Sequence, residues 1–252
     1  MRNYIKAELY RNLHRLYFWN FTLITSAFVL FFIILGKMVG SGNLPMLLEL
    51  GIEMLGVPIF LVFMPIDMVS GEEIKNLTLK NSVSFGIPRS KIVLSKIIVT
   101  VILSFIAAII ILAVFLGSGT ILFGTEGVTT FLVKEFTLRL LGAIPLWIGA
   151  ISIGTFLSFI ISNYTLCSFA YAGSFVVVRP IIRLLGTLVS DKFMYINNIL
   201  ITTRLDSLSK LYEQKFQPVV ADTMIYAAIV GAAYTIAFTI LSILYFNKKE
   251  VK

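Results

Sequence analysis

Residues 92–116 read IVLSKIIVTVILSFIAAIIILAVFL, an apolar stretch broken by a single charge, Lys96, near its start. A helix rises 1.5 Å per residue and the hydrocarbon core of a bilayer is about 30 Å thick, so about 20 such residues make one crossing. Working outward, five more runs meet that length: Tyr17–Gly36, Leu50–Val69, Leu138–Ile161, Thr165–Leu185 and Val219–Phe246. Several carry glycine or proline, which a spanning helix tolerates when its neighbours satisfy the freed backbone groups. The period-2 alternation of a membrane β-barrel is absent. The chain therefore reads as an all-α integral membrane protein of six transmembrane helices. It forms one domain over 1–252, divided into a leading segment 1–16, a six-span bundle 17–246 and a tail 247–252.

Composition agrees. Charged residues make up 13% of the chain, against about a quarter in soluble domains, so most of it has no water to face. The formal charge of +8 lies in loops, with no compact basic domain to hold nucleic acid. Cys167 is the single cysteine, which rules out an internal disulfide, and His14 is the single histidine. HExxH, CxxC and glycine-rich phosphate loops are missing, and Asp67 and Asp222 sit at opposite ends of their spans, unfit for a carboxylate dyad. The sequence thus points away from an enzyme, and from any catalytic residue, metal site or cofactor in this chain. The first run is too long for a cleavable signal peptide and no small-residue cleavage site follows it.

Lysine and arginine sort the loops. Arg2, Lys6, Arg11 and Arg15 lead the chain, Lys75, Lys80, Arg89 and Lys91 lie between the second and third runs, and Lys248, Lys249 and Lys252 end it. With six crossings these fall on one side, so both termini are expected in the cytoplasm. Ile5, Leu9, Leu13 and Leu16 share one face of residues 1–16, as in a helix resting in the headgroup layer. Between the fifth and sixth runs, an apolar patch (Phe193, Met194, Ile196, Ile199 and Leu200) precedes Leu205, Leu208 and Leu211. Two short amphipathic helices are expected there, an outer hairpin dipping into the leaflet or packed on the outer face. Glu49 and Glu53 read as the solvated start of the second span.

Two sets of small residues mark packing faces. Ala150, Gly154, Ser158 and Ser162 recur every fourth residue in the fourth run, and Ala227 and Gly231 in the sixth. Charges at depth are costly and tend to have a role. Arg179, Pro180 and Arg183 lie in the outer half of the fifth run, where they either line a substrate path or outer gate or snorkel to headgroups.

The stretch between the second and third runs is the most informative: DMVSGEEIKNLTLKNSVSFGIPRSKIVLSK, residues 67–96. Glu72 to Ser84 suits a short helix parallel to the membrane, with Glu72 and Glu73 at its positive end and Lys80 in its later part. This segment resembles the permeases of type-2 ABC exporters. They carry a glutamate, a Gly/Asn-Thr-x-Lys segment, Gly-Ile-x-Arg and a downstream lysine after their second span. The matching residues are Glu73, Asn76, Thr78, Lys80, Gly86, Ile87, Arg89 and Lys96. Asn76-Leu77-Thr78 departs from the commoner Gly-Thr.

The resemblance implies that this loop is a coupling helix seated on a separate ABC ATPase subunit, through Glu72, Glu73, Asn76, Thr78, Lys80, Ser84, Gly86 and Arg89. It implies two ATPase copies, which bind ATP and Mg, and a second permease, the same or a different chain. It also implies a multi-pass place in a bacterial cytoplasmic membrane, among lipids. The small size is similar to exporters of antimicrobial peptides, including lantibiotic self-protection systems. An ion-coupled secondary transporter and a non-transporting immunity or scaffold protein are the alternatives.

Overall fold

The structure, a computed structural model, describes residues 1–40, 42–71, 86–210 and 221–248. Among the described residues every regular element is helical: α1 (Arg2–Leu13), α2 (Leu16–Met38), α3 (Leu44–Glu53), α4 (Pro58–Leu61), α5 (Phe63–Ile66), α6 (Arg89–Phe123), α7 (Thr130–Ile160), α8 (Tyr164–Val176), α9 (Val178–Leu188), α10 (Lys192–Ile199), α11 (Ile201–Ser209) and α12 (Ala221–Lys248). The helices α2, α6, α7, the α8–α9 pair and α12 are each long and apolar enough to cross a membrane. The bent stretch from Leu44 to Gly71 brings the number to as many as six.

Local chemistry sets several boundaries. Thr129 accepts the Leu132 N–H and Asn163 the Leu166 N–H, starting α7 and α8 with a side-chain cap. Asn43 does the same for α3 through Met46 N–H at 2.8 Å. The α1–α2 corner turns at Arg15, whose backbone is extended, and Trp19 Nε1 donates to the Leu13 carbonyl at 2.7 Å. A carbonyl that α1 leaves unpaired at its end is thereby satisfied.

The second span differs from the expected continuous helix over Leu50–Val69. It begins at Leu44, tightens into a 3₁₀ turn at Met54–Gly56, and ends in a π-helical turn over Asp67–Gly71. Its two arms are bent by 57°. Pro58 and Pro65 each remove an N–H and crowd the carbonyl four residues back, so the ladder fails there. Distant side chains take up carbonyls in this stretch: Trp147 Nε1 donates to Leu55 O at 3.1 Å and the Tyr171 hydroxyl to Ile59 O at 2.9 Å. A break of this kind is stable at membrane depth because the donors come from neighbouring helices. In the fifth span Pro180 acts more gently, parting α8 from α9 at Val177.

The fourth span, α7, is the bundle's centre. Ala150 and Ser158 are buried, and a Cβ at Gly154 would press on Ile66 and Tyr171, so the small-residue stripe faces the broken second span and α8. A different face of α7 meets α12. There Gly231 lies against the backbone of Pro145, and a Cβ at Gly149 would come within 3.2 Å of Gly231 O.

The α10–α11 pair corresponds to the two expected short helices; α10 is largely exposed, with Tyr195 74% accessible, whereas α11 packs into the bundle. A Cβ at Gly142 would meet Leu208 at 3.4 Å, and one at Gly149 would meet Ile201 at 3.3 Å. α11 therefore doubles back along α7, and Ile201, Leu205 and Leu208 join the main core. Likewise the stripe Ile5, Leu9 and Leu13 of α1 is not turned to lipid headgroups. It packs on Phe18, Met68, Val69, Val99 and Leu103, while Leu16 stands exposed at the start of α2.

Candidate functional site

The segment singled out by its motif joins Gly71 to Gly86. Glu72, Glu73, Asn76, Thr78, Lys80 and Ser84 lie outside the described residues; the two ends of the segment lie inside them. The end of the bundle that carries the N-terminus holds both.

Upstream, Arg15 Nη1 donates to the Met68 carbonyl at 3.3 Å, tying the α1–α2 corner to the π-helical turn. Met68 and Val69 are buried in the same small core as Leu9 and Leu13. Downstream, Gly86 has φ of +77°, left-handed backbone that L side chains adopt only with strain. Arg89 then opens α6. Its Nη1 donates to Phe246 O at 2.6 Å and Asn247 O at 3.0 Å, and its guanidinium lies 5.5 Å from the centre of the Phe246 ring. Arg89 thus caps the last carbonyls of α12, where a cation also complements the helix dipole.

Two turns further along α6, Lys96 is completely buried, with 0% of its surface exposed. Its Nζ meets Glu8 Oε2 of α1 at 2.9 Å, and Arg11 Nη2 meets the same oxygen at 2.8 Å. Asn12, also fully buried, donates to the Glu8 carbonyl at 2.8 Å. Two cations on one buried carboxylate oxygen satisfy charge that the apolar surroundings would otherwise make prohibitive. Asn12 Oδ1, Ser70 Oγ and Ser95 Oγ are buried on the three elements that meet here and find no hydrogen-bond partner among the described residues.

Sequence reasoning placed Lys96 in the motif but gave no role to Glu8 or Asn12. A signal was present. Glu8 is the first acidic residue of the chain, and the next is Glu49; a lone carboxylate in a basic helix calls for a buried cation.

At the opposite end, Arg179 and Asp206 form an ion pair at 2.5 Å between α9 and α11. Arg179, Pro180 and Arg183 line a cavity of about 580 Å³ together with Glu53 and Asp206. Glu53, read as a solvated helix start, faces this space. Apolar walls come from Phe60, Phe175 and Leu205. A second ion pair was not foreseen: Arg139 meets Glu135 at 3.0 Å on α7 and donates to the Leu208 carbonyl, and both side chains are buried. It fastens the C-terminal end of α11 to α7.

No protein-family model matches the chain, and a search of curated proteins finds no match either. What the arrangement can do rests on its geometry. Among the described residues no group of three or more His, Cys, Asp or Glu side chains is placed to hold a metal. The polar features are instead joints between helices and a cavity of mixed charge.

Proposed function

We propose that this chain is the permease subunit of an ATP-driven ABC exporter. The observation that carries the reading is that both ends flanking residues 72–85 are anchored. The upstream end is held through Arg15 and the packing of Met68, the downstream end through Arg89 on α12 and Lys96 on α1. A push on this segment reaches α1, α6 and α12 together, as a coupling element seated on an ATPase subunit requires. In this reading both termini face the cytoplasm, two ATPase subunits bind ATP and Mg, and a second permease completes the path. The cargo is amphipathic, an antimicrobial or other peptide or a lipid-like compound.

The test is affinity purification in mild detergent with candidate ATPase subunits co-expressed. An ATPase is expected to travel with the chain. A substitution at Gly86, where any side chain meets a left-handed backbone costing about 1–2 kcal/mol, is expected to separate ATP turnover from export. Gly86→Trp should leave insertion intact and reduce export at least about tenfold, a loss of about 1.4 kcal/mol in coupling. Export at the normal rate by Gly86→Trp, or a chain that purifies alone, would remove the reading.

The cavity of about 580 Å³ serves in this reading as part of the outer substrate path, with the Arg179–Asp206 pair closing it. That pair is partly exposed, 20% and 37%, so it contributes about 1 kcal/mol or less to stability. Arg179→Ala is accordingly expected to change transport at unchanged abundance. The double exchange Arg179→Asp with Asp206→Arg should restore it. Abundance and transport falling in step would assign the pair to folding alone.

The break in the second span favours a second reading, since ion-coupled transporters build their sites at discontinuous helices. Uptake or release by the chain alone in liposomes, driven by an imposed ion gradient, decides for that reading.

A further inference from the structure

The cavity of about 580 Å³ beside Arg179 draws its charges from three elements. The second span supplies Glu53, just before its 3₁₀ turn; α9 supplies Arg179 and Arg183, and α11 supplies Asp206. Arg179 and Arg183 are four residues apart and share a face of their helix. Arg179 and Asp206 neutralise each other as a pair. Glu53 and Arg183 are exposed, and among the described residues neither side chain forms an ion pair or a hydrogen bond. The volume falls in the range of about 300–1,000 Å³ that small-molecule sites occupy.

The two remaining charges define the ligand. An anion at Arg183 alone would share the space with Glu53, and a cation at Glu53 alone would share it with Arg183. A molecule that carries both signs satisfies both. A guanidinium matches the oxygens of a phosphate with a fork of hydrogen bonds, and a carboxylate accepts from a primary ammonium. The apolar lining indicates what those two charges are attached to. Val57, Phe60 and Val176 line the cavity and are also exposed, so its apolar surface continues onto the flank of the bundle. A soluble zwitterion leaves that surface unused, whereas acyl chains pack along it by dispersion contact. Both arginines lie in the second half of the span Tyr164–Leu188, where cationic side chains reach a headgroup layer.

We propose that this cavity binds a zwitterionic aminophospholipid, its phosphate on Arg183, its primary ammonium on Glu53 and its acyl chains leaving past Val57, Phe60 and Val176. Arg179 occupies Asp206 and keeps that carboxylate from competing for the ammonium. That such a lipid is the cargo rests on the exporter reading, in which this cavity is part of the outer path; its binding needs no ATPase. The test therefore uses the full chain alone in maltoside detergent, without nucleotide. A failure to bind there leaves co-purification with an ATPase untouched, and a chain that purifies alone leaves the binding untouched.

The probe is radiolabelled dihexanoylphosphatidylethanolamine, short enough to stay soluble, measured by scintillation proximity. It is expected to bind saturably. Dihexanoylphosphatidylglycerol, an anion with no amine, should compete at least about tenfold less well, because it leaves Glu53 facing a phosphate. Glu53→Gln should weaken the ethanolamine lipid about tenfold and erase its advantage over the glycerol lipid, whereas Arg183→Gln should weaken both. Both side chains are exposed, so each variant is expected to unfold at the native midpoint; where one does not, the competition between the two lipids on the native chain decides alone. No saturable binding, equal competition by the glycerol lipid, or affinity unmoved by both substitutions would overturn the proposal. Displacement of the probe more readily by alanylalanine than by the unlabelled lipid would overturn it as well, in favour of a peptide.

Discussion

Glu8→Ala is expected to destabilise the folded chain by about 3 kcal/mol and to loosen α1 from the bundle, more than any other single charge removal on this helix. Lys96 is fully buried and its ammonium faces Glu8 Oε2 at 2.9 Å. Deleting one partner of a buried pair costs about 3–5 kcal/mol, since the remaining charge keeps its desolvation penalty and loses a close counter-charge. The same substitution also removes one contact of Arg11, but that side chain is 40% exposed and the loss costs little.

Lys96→Met in the Glu8→Ala background should recover much of the loss, because an apolar residue of similar length suits the buried site. This recovery distinguishes a buried charge from a general weakening of α1. Thermal unfolding in detergent gives the stabilities, and hydrogen exchange over residues 2–13 reports the docking of α1. A Glu8→Ala midpoint within a degree of the native one, with α1 exchange unchanged, would show that the Glu8–Lys96 contact holds nothing. In the exporter reading the same variant tests the transmission of force, since α1 and α6 meet at this contact just beyond the end of the motif segment.

The spans were legible because bilayer thickness imposes a length that no loop of this chain imitates. Residues 92–116 fall wholly within α6 and Tyr17–Gly36 within α2. The bend in the second span was not legible. Pro58 and Pro65 are visible, yet a spanning helix tolerates proline; what permits the break is Trp147 and Tyr171 reaching in from α7 and α8, and no local pattern records donors that far along the chain. The same holds for pairing. Arg179 was singled out by its depth, but its partner Asp206 belongs to a helix read as a surface element. Glu8 had its partner 88 positions away, so local spacing gave it no role.

Amphipathic stripes were legible as stripes and not as destinations. Ile5, Leu9 and Leu13, and equally Leu205 and Leu208, have the spacing of helices at a membrane surface, and periodicity does not tell lipid from protein as the apolar medium. In both cases a buried charge settles the matter. Glu8 sits beside the first stripe and meets Lys96. Arg139 beside the second donates to the Leu208 carbonyl. Each contact draws its helix onto protein, because a charged hydrogen bond formed away from water outweighs the small difference between two apolar surroundings.

Gly231→Leu is expected to have the second large effect, a loss of about 3 kcal/mol or more and a fall in the fraction of chain recovered as a single species. At the α7–α12 contact the two backbones approach closely. A Cβ at Gly231 would collide with the Pro145 carbonyl group and come within 2.8 Å of Leu146 N. These are backbone atoms on the central helix, so no side-chain rotation relieves the clash, and overpacking of this kind costs about 1–3 kcal/mol even for small additions. Membrane helices gain no hydrophobic driving force from touching one another; close backbone approach supplies the attraction instead. Separating α7 from α12 therefore removes both dispersion and the weak Cα–H contacts that such proximity allows. Gly36→Leu is the control, since a Cβ there meets nothing within 4 Å, and it should leave the unfolding midpoint unchanged. Gly231→Ala should fall between the two, at about 1–2 kcal/mol. A Gly231→Leu chain as stable as Gly36→Leu would mean that α12 does not seat on Pro145, and Arg89, which caps α12 at Phe246, would then hold a helix free to move without the bundle.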